Sequence, residues 1–328
     1  VPRLAAATQY SPPFGPVADP FKTAAARSCD GGRVTVKLDA VAPFLAGHGR
    51  VLDRRRFELM QGSGRAEEVL AAVAAYRNPD GGYGWGLEPD LRAPESQPGG
   101  ALHAFEVFAE LGPVTTPHAT QLCDWLESVS LPGGGLPFAF PVADPVASAP
   151  FWTGADPAVF SLQSTAFATS VALRVAEHDP AVAAHPWLAR ATEACLRAIR
   201  SIEEMPHAIE LNFAIHLLDA AYDRYPEVDE LLTKLGKFLP DNGIVPVAGG
   251  SEGEALRPLD FSPTPGPARR LFTADAIEAD LTRLEQGQQP DGAWTVDFAS
   301  YSPAAALEWR GYATVGAISV LRANSRLG

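Results

Sequence analysis

The chain is short of cysteine, of positive charge and of long apolar runs, and each shortage removes a class of function. Only three cysteines occur in 328 residues, Cys29, Cys123 and Cys195, and no Cys-x-x-Cys is present. A disulfide framework or a structural zinc site is therefore not expected. Cys123 and Cys195 fall in apolar helical patterns and read as buried thiols, which fits a reducing, cytoplasmic setting. Twenty-six Lys and Arg face 39 Asp and Glu, for a formal net charge of −13. Such a chain is a poor partner for nucleic acid or an anionic membrane. No apolar run approaches ~18 residues, so no membrane span is expected. A Walker loop, a dinucleotide-binding glycine fingerprint after a strand and a Gly-x-Ser-x-Gly elbow are all missing. That argues against nucleotide-dependent and serine-hydrolase chemistry. No cofactor and no metal are expected.

What the chain does have is a glycine-centred turn that returns. It reads Asn78-Pro79-Asp80-Gly81-Gly82-Tyr83 early and Gln289-Pro290-Asp291-Gly292-Ala293-Trp294 late. Leu131-Pro132-Gly133-Gly134-Gly135-Leu136 is a looser copy, and Pro240-Asp241-Asn242-Gly243-Ile244 a weaker one. Steps of roughly 53 residues lead from Gly81 to Gly134, pass a vacant slot, and reach Gly243, with a shorter step to Gly292. A recurring period in this range signals a repeat architecture.

Around each turn the pattern is an outer amphipathic helix, the turn, an extended loop and a second helix that is apolar nearly all round. Outer helices are expected at 66–76, 117–129, 187–203, 227–239 and 274–287, and inner ones near 98–111, 161–177, 206–225 and 303–324. Two more are expected near 36–47 and 53–61. In the third pair Met205-Pro206 makes the corner without a glycine turn. Tyr83 and Trp85 are expected to fold back on the helix just left. A Gly/Pro-rich stretch at 241–272 reads as a lid or a plain loop. Residues 1–33 read as a disordered arm with Val34 as the true start, leaving 34–328 as one domain. The whole describes an all-α fold, an α/α toroid of five or six helical pairs around a central cavity.

The segments Gln286-x-x-Gln289-Pro290-Asp291-Gly292-Ala293-Trp294 and Tyr76-x-x-Pro79-Asp80-Gly81-Gly82-Tyr83-Gly84-Trp85 resemble the Gln-Trp repeats of squalene and terpene cyclases and the related repeats of protein prenyltransferase β subunits. The likeness covers about residues 50–326. It implies the terpene-cyclase toroid and a hydrophobic prenyl or terpenoid substrate. It does not bring the family's catalytic residues with it. There is no Asp-x-Asp-Asp acid motif, no Asp-rich magnesium motif and no transferable zinc set. The nearest acidic cluster, Asp275, Glu278 and Asp280, reads as solvated on an outer helix.

Chemistry is therefore sought at the loops and the starts of the inner helices. Glu88, Asp90, Arg92, Glu95 and Gln97 precede one inner helix. Glu308, Trp309, Arg310 and Tyr312 open another. Glu95, Glu308 and Asp90 are the candidate acids, since burial raises a carboxyl pKa and keeps a general acid protonated. Glu95 as a plain first-turn helix acid is the alternative. Arg92 or Arg310 would orient the acid or grip a diphosphate, although Arg310 also reads as a structural partner of Asp297, Glu308 or Glu88. Trp85, Trp152, Phe298, Trp309 and other loop aromatics would wall the cavity and stabilise cationic charge, or simply pack. Gln163, and His207 with Glu210, are further candidate substrate contacts. His207-x-x-Glu210 is weak as a metal pair, and Asp156 reads as a turn residue. The expected activity is cyclisation or isomerisation of a hydrophobic substrate by protonation. A non-catalytic toroid that binds a lipid or a protein is the alternative. A carbohydrate enzyme is a third reading, disfavoured by apolar inner helices.

Overall fold

The computed structural model describes residues 35–327, so the arm expected over 1–33 and Cys29 lie outside the described residues. Fourteen α-helices account for most of the described chain. In order they are α1 (Leu38–His48), α2 (Val51–Met60), α3 (Ala66–Ala74), α4 (Pro98–Glu110), α5 (Pro117–Val129), α6 (Pro150–Thr153), α7 (Leu162–Val175), α8 (Pro180–Ala183), α9 (Pro186–Arg200), α10 (Ala208–Ala221), α11 (Val228–Gly236), α12 (Pro258–Phe261), α13 (Ala274–Gln286) and α14 (Pro303–Ala323). Many of their starts are legible. Proline opens α4, α5, α7's neighbour α8, α9 and α14, where its missing N–H is no loss. Thr116, Ser161, Asp179, Thr273 and Ser302 cap with their side chains.

The pairing follows burial. In α7, 11 of 14 residues are buried, and in α4, 10 of 13, so both are inner helices. α10 packs along α7, and α7 along α4, with the Phe167 and Phe213 rings meeting edge-on between α7 and α10 at 5.0 Å. α5, α9, α11 and α13 each bury one stripe. On α9 that stripe is Trp187, Leu188, Ala191, Cys195 and Ile199. α14 departs from expectation. It buries only the side carrying Arg310, Gly311, Thr314, Val315, Ile318 and Leu321, while Tyr312 and Gly316 are half-buried. Asp280 also departs: it is buried on α13, where its carboxylate takes the Leu259 N–H at 2.9 Å and the Arg283 guanidinium at 2.6 Å.

The repeat is real at backbone level. Gly81, Gly134, Gly243 and Gly292 all have positive φ, between 68° and 94°. Three turns share two bonds. Asn78 N–H donates to Gly82 O and Gly81 N–H to Asn78 O; Leu131, Gly134 and Gly135 do the same, as do Gln289, Gly292 and Ala293, all at 2.7–3.1 Å. The residue after the turn is also held alike. Leu136 N–H donates to Thr165 Oγ1 on α7, and Trp294 N–H to Thr314 Oγ1 on α14, both at 2.9 Å. Tyr83 is buried as expected, but Trp85 stands 58% exposed at positive φ, its indole donating to Asn78.

Three of the four turns lean on a helix of the neighbouring repeat, while the Gly243 turn meets Pro258 of α12 and Phe272. A Cβ on Gly81 would lie 2.9 Å from Gln121 O of α5, and one on Gly134 3.0 Å from Arg190 O of α9. A Cβ on Gly292 would lie 2.2 Å from Ala40 O of α1. The last turn thus meets the first helix, and α14 packs on α1 and α2. The corner 201–207 between α9 and α10 has no residue at positive φ. The 241–272 stretch holds more structure than a loop. It carries an antiparallel two-residue ladder, β1 (Val245–Pro246) with β2 (Ala255–Leu256), then α12 and a 3₁₀ turn at Pro267–Leu271. Val245, Leu259, Phe261 and Ala268 anchor it in the interior.

Candidate active site

α4 and α14 meet through polar and aromatic side chains. The centre is His103 on α4, 5% exposed. Its Nε2 lies 3.1 Å from Glu88 Oε2 and its Nδ1 2.8 Å from Glu106 Oε2. Burial by itself would lower the imidazole pKa, but Glu106 and Glu88 outweigh it and raise the value to about 9. His103 is thus an imidazolium at neutral pH. In return its charge, with Arg56 and the Tyr312 hydroxyl, overcomes burial and holds Glu106 below the usual carboxylate range. Tyr312 O–H donates to Glu106 Oε1 at 2.8 Å.

The loop before α4 supplies the second half. Glu88 Oε1 accepts the Asp90 backbone N–H at 3.1 Å, which folds Asp90 inward. Asp90 is 4% exposed. Its Oδ2 accepts the Trp309 indole N–H at 2.7 Å and its Oδ1 the Tyr301 backbone N–H at 2.9 Å. Burial raises its pKa to about 6 against those two bonds, helped by the like charges of Glu88 and Glu308. Each oxygen keeps a second lone pair, so the protonated acid also fits the site. Trp309 packs edge-on against His103, Phe298 and Tyr312, with centroids 6.0, 5.1 and 5.5 Å away.

α2 closes the network from below. Arg56 is bidentate to Glu110, its guanidinium 5.6 Å from the Tyr312 ring centre, and Arg50 is bidentate to Asp53 while donating to Leu87 O. Six carboxylates (Asp53, Glu88, Asp90, Glu106, Glu110, Glu308) meet four cations (Arg50, Arg56, Arg92, His103). Carboxylates were expected at the mouth of an apolar cavity; Glu106 and Glu110 instead carry charge along the length of α4.

The sequence-chosen residues divide into two groups. Glu88, Asp90, Arg92, Glu308, Trp309 and Tyr312 come together, although the Glu308 carboxylate is engaged by Arg92 Nη1 at 2.5 Å. Arg310 pairs with Asp291 of the last glycine turn, at 2.8 Å, rather than with Asp297, Glu308 or Glu88, and its guanidinium lies 4.7 Å from the Phe44 ring centre. Gln97, 1% exposed, clamps both backbone groups of Phe140. Glu95 accepts the Ala143 N–H, facing the 138–149 loop, and its other oxygen is buried without a partner. Trp152 stacks on Phe138 at 4.5 Å, beside Gly99 and Glu88. Gln163 is half-buried in the first turn of α7. His207 caps α10 and reaches Ala248 O at 3.0 Å, and the half-buried Glu210 has its pKa raised by burial. No group of three or more metal-ligating side chains occurs among the described residues. Asp156 makes a turn, accepting the Ala158 N–H.

His103, Glu106, Glu110, Asp53, Arg50 and Arg56 are absent from the sequence candidates. One signal was present. His103-x-x-Glu106 is an i, i+3 pair in the mostly buried part of α4, where an unsatisfied charge is costly. A scan against protein-family models and a search of curated proteins both find no match. No helix among the described residues is long and apolar enough to cross a membrane.

Proposed function

We propose that the chain is an α/α toroid enzyme of terpene-cyclase type that cyclises or isomerises a hydrophobic prenyl or terpenoid molecule by general-acid protonation, with Asp90 as the acid. The observation that carries the reading is Asp90 itself. It is buried, its pKa is raised to about 6, it accepts the Tyr301 backbone N–H, and it is held against Trp309, which packs on the Phe298 and Tyr312 rings. Protonation of an alkene needs an acid that carries its proton and aromatic faces for the cation that follows. At a value of about 6 roughly a tenth of Asp90 is protonated at pH 7, and exclusion of water by bound substrate would raise that share. The toroid is supported by the shared turn geometry and by the last turn meeting α1. A reducing, cytoplasmic setting is supported by the buried free thiols Cys123 and Cys195.

Of the three candidate acids, Asp90 replaces Glu95 and Glu308 as first choice. Glu308 is neutralised by Arg92, and Glu95 faces a different loop. With Arg92 and Arg310 both engaged by carboxylates, the reading favours an uncharged substrate over a diphosphate. A non-catalytic lipid- or protein-binding toroid is the second reading. It is favoured by the same Arg92–Glu308 pairing and by the close packing of α4, α7 and α10.

The test is incubation of the purified protein with squalene-like hydrocarbons and prenyl diphosphates, with products read by gas chromatography. A new hydrocarbon or alcohol lost in Asp90→Asn and kept in Glu95→Gln supports the reading. Turnover untouched by Asp90→Asn removes Asp90 as the acid, and binding without turnover transfers support to the second reading.

A further inference from the structure

The groups that hold Asp90 share one neighbour. Glu88 fixes the Asp90 backbone with Oε1 and touches His103 with Oε2, at 3.1 Å each. Trp309 fixes Asp90 Oδ2 at 2.7 Å and lays its ring edge-on to His103 at 6.0 Å. His103, Glu88, Asp90 and Trp309 therefore form a closed circuit of contacts, with three of the four residues less than 9% exposed. Glu106 clamps the far side of the imidazole, and the Tyr312 ring lies 5.2 Å from it. The titratable groups facing His103 are thus Glu88, Glu106 and Tyr312.

We propose that His103 is the positioning residue of Asp90: as an imidazolium between Glu88 and Glu106 it fixes both the carboxylate and the indole that orient that acid. This deepens the reading of Asp90 as the acid and rests on it. The imidazolium does two things that a neutral side chain of the same size cannot. It gives Glu88 a charged partner in a buried place, where a lone carboxylate is costly. It also offsets the charge of Glu88, which together with that of Glu308 reaches Asp90. Loss of the cation leaves the network more negative, so Asp90 holds its proton to higher pH.

The experiment reads Asp90 directly and needs no substrate. The carboxyl carbon of Asp90 is followed by ¹³C NMR against pH in protein labelled at aspartate, the signal being assigned by its loss in Asp90→Asn. A midpoint near 6 in the wild type, moved upward by at least 0.5 unit in His103→Gln and returned toward the wild-type value in His103→Lys, is the expected result. A midpoint unchanged within 0.2 unit in a folded His103→Gln overturns the proposal. The wild-type protein provides a second arm should His103→Gln fail to fold. Its His103 ring nitrogens must show the imidazolium ¹⁵N pattern at pH 7.5, and a neutral-imidazole pattern there overturns it. The product assay with Asp90→Asn judges the enzymatic reading separately. A moved midpoint without turnover leaves the His103–Asp90 coupling standing and removes the reaction.

Discussion

Replacement of Gly292 by alanine tests whether the glycine turns close the repeat array by seating on the next outer helix. Two costs are separable. At φ +92° an alanine sits in the left-handed region, which costs roughly 1–2 kcal/mol, offset by about 0.4–1 kcal/mol from the stiffer unfolded chain. The new methyl also falls 2.2 Å from Ala40 O and 2.8 Å from Ala40 Cβ, so α1 must shift by about an ångström, and such overpacking costs about 1–3 kcal/mol more. Gly62 is the internal control. It has φ +71° and nothing within 4 Å of its would-be Cβ, so Gly62→Ala carries the first cost alone. Chemical denaturation followed by tryptophan fluorescence should place Gly292→Ala about 1–3 kcal/mol below Gly62→Ala, without a change in the denaturant slope. Gly81→Ala, with its 2.9 Å approach to Gln121 O, should fall between the two. If Gly292→Ala is no less stable than Gly62→Ala, the contact with α1 does not hold the last glycine turn to the first helix.

His103 binds its proton more tightly folded than unfolded, about 9 against 6.5, so its stabilisation is complete below pH 6.5 and is lost as pH rises through 9; wild type minus His103→Gln should shrink by roughly 3 kcal/mol across that window in pH-dependent denaturation. Asp90 works in the other direction on the charged form. Its folded value near 6 exceeds the ordinary 3.8, so the wild type should lose roughly 3 kcal/mol between pH 3.8 and 6 relative to Asp90→Asn, measured the same way. Thr165→Val and Thr314→Val each strand one turn N–H, that of Leu136 or Trp294, and should cost similar amounts, about 1–3 kcal/mol, by thermal or denaturant unfolding.

The legible part of the molecule is its local grammar. Pro-Asp-Gly turns, proline at helix starts and the alternation of amphipathic with apolar helices are short-range effects. Each acts within a few residues of its cause, so helix positions and the turn glycines could be read directly. The 241–272 stretch was less legible, because two-residue strands and a four-residue helix leave no periodicity. Gly/Pro density signals a loop even where Phe261 and Val245 are buried.

The charge cluster in the loop before α4 was legible because three carboxylates and an arginine crowd ten residues. His103 and Glu106 were not, since they lie in a helix that reads by its apolar residues. The pairing of Arg310 was misread for a related reason. Its partner Asp291 lies 19 positions back, in a turn that reads only as backbone geometry, like that of Asp80, whose carboxylate takes the Gly82 N–H and the Ser96 hydroxyl.

The sequence by itself determined the all-α class, the repeat, the turn glycines and the lack of a long apolar span, because backbone preferences and periodicity act locally. Only the tertiary structure decided which charges share a low-dielectric interior. Glu88 and His103 are 15 residues apart, Asp90 and Trp309 are 219, and Arg92 and Glu308 are 216. The fold sets those distances by bringing the first inner helix against the last, and the pKa of Asp90 follows from them.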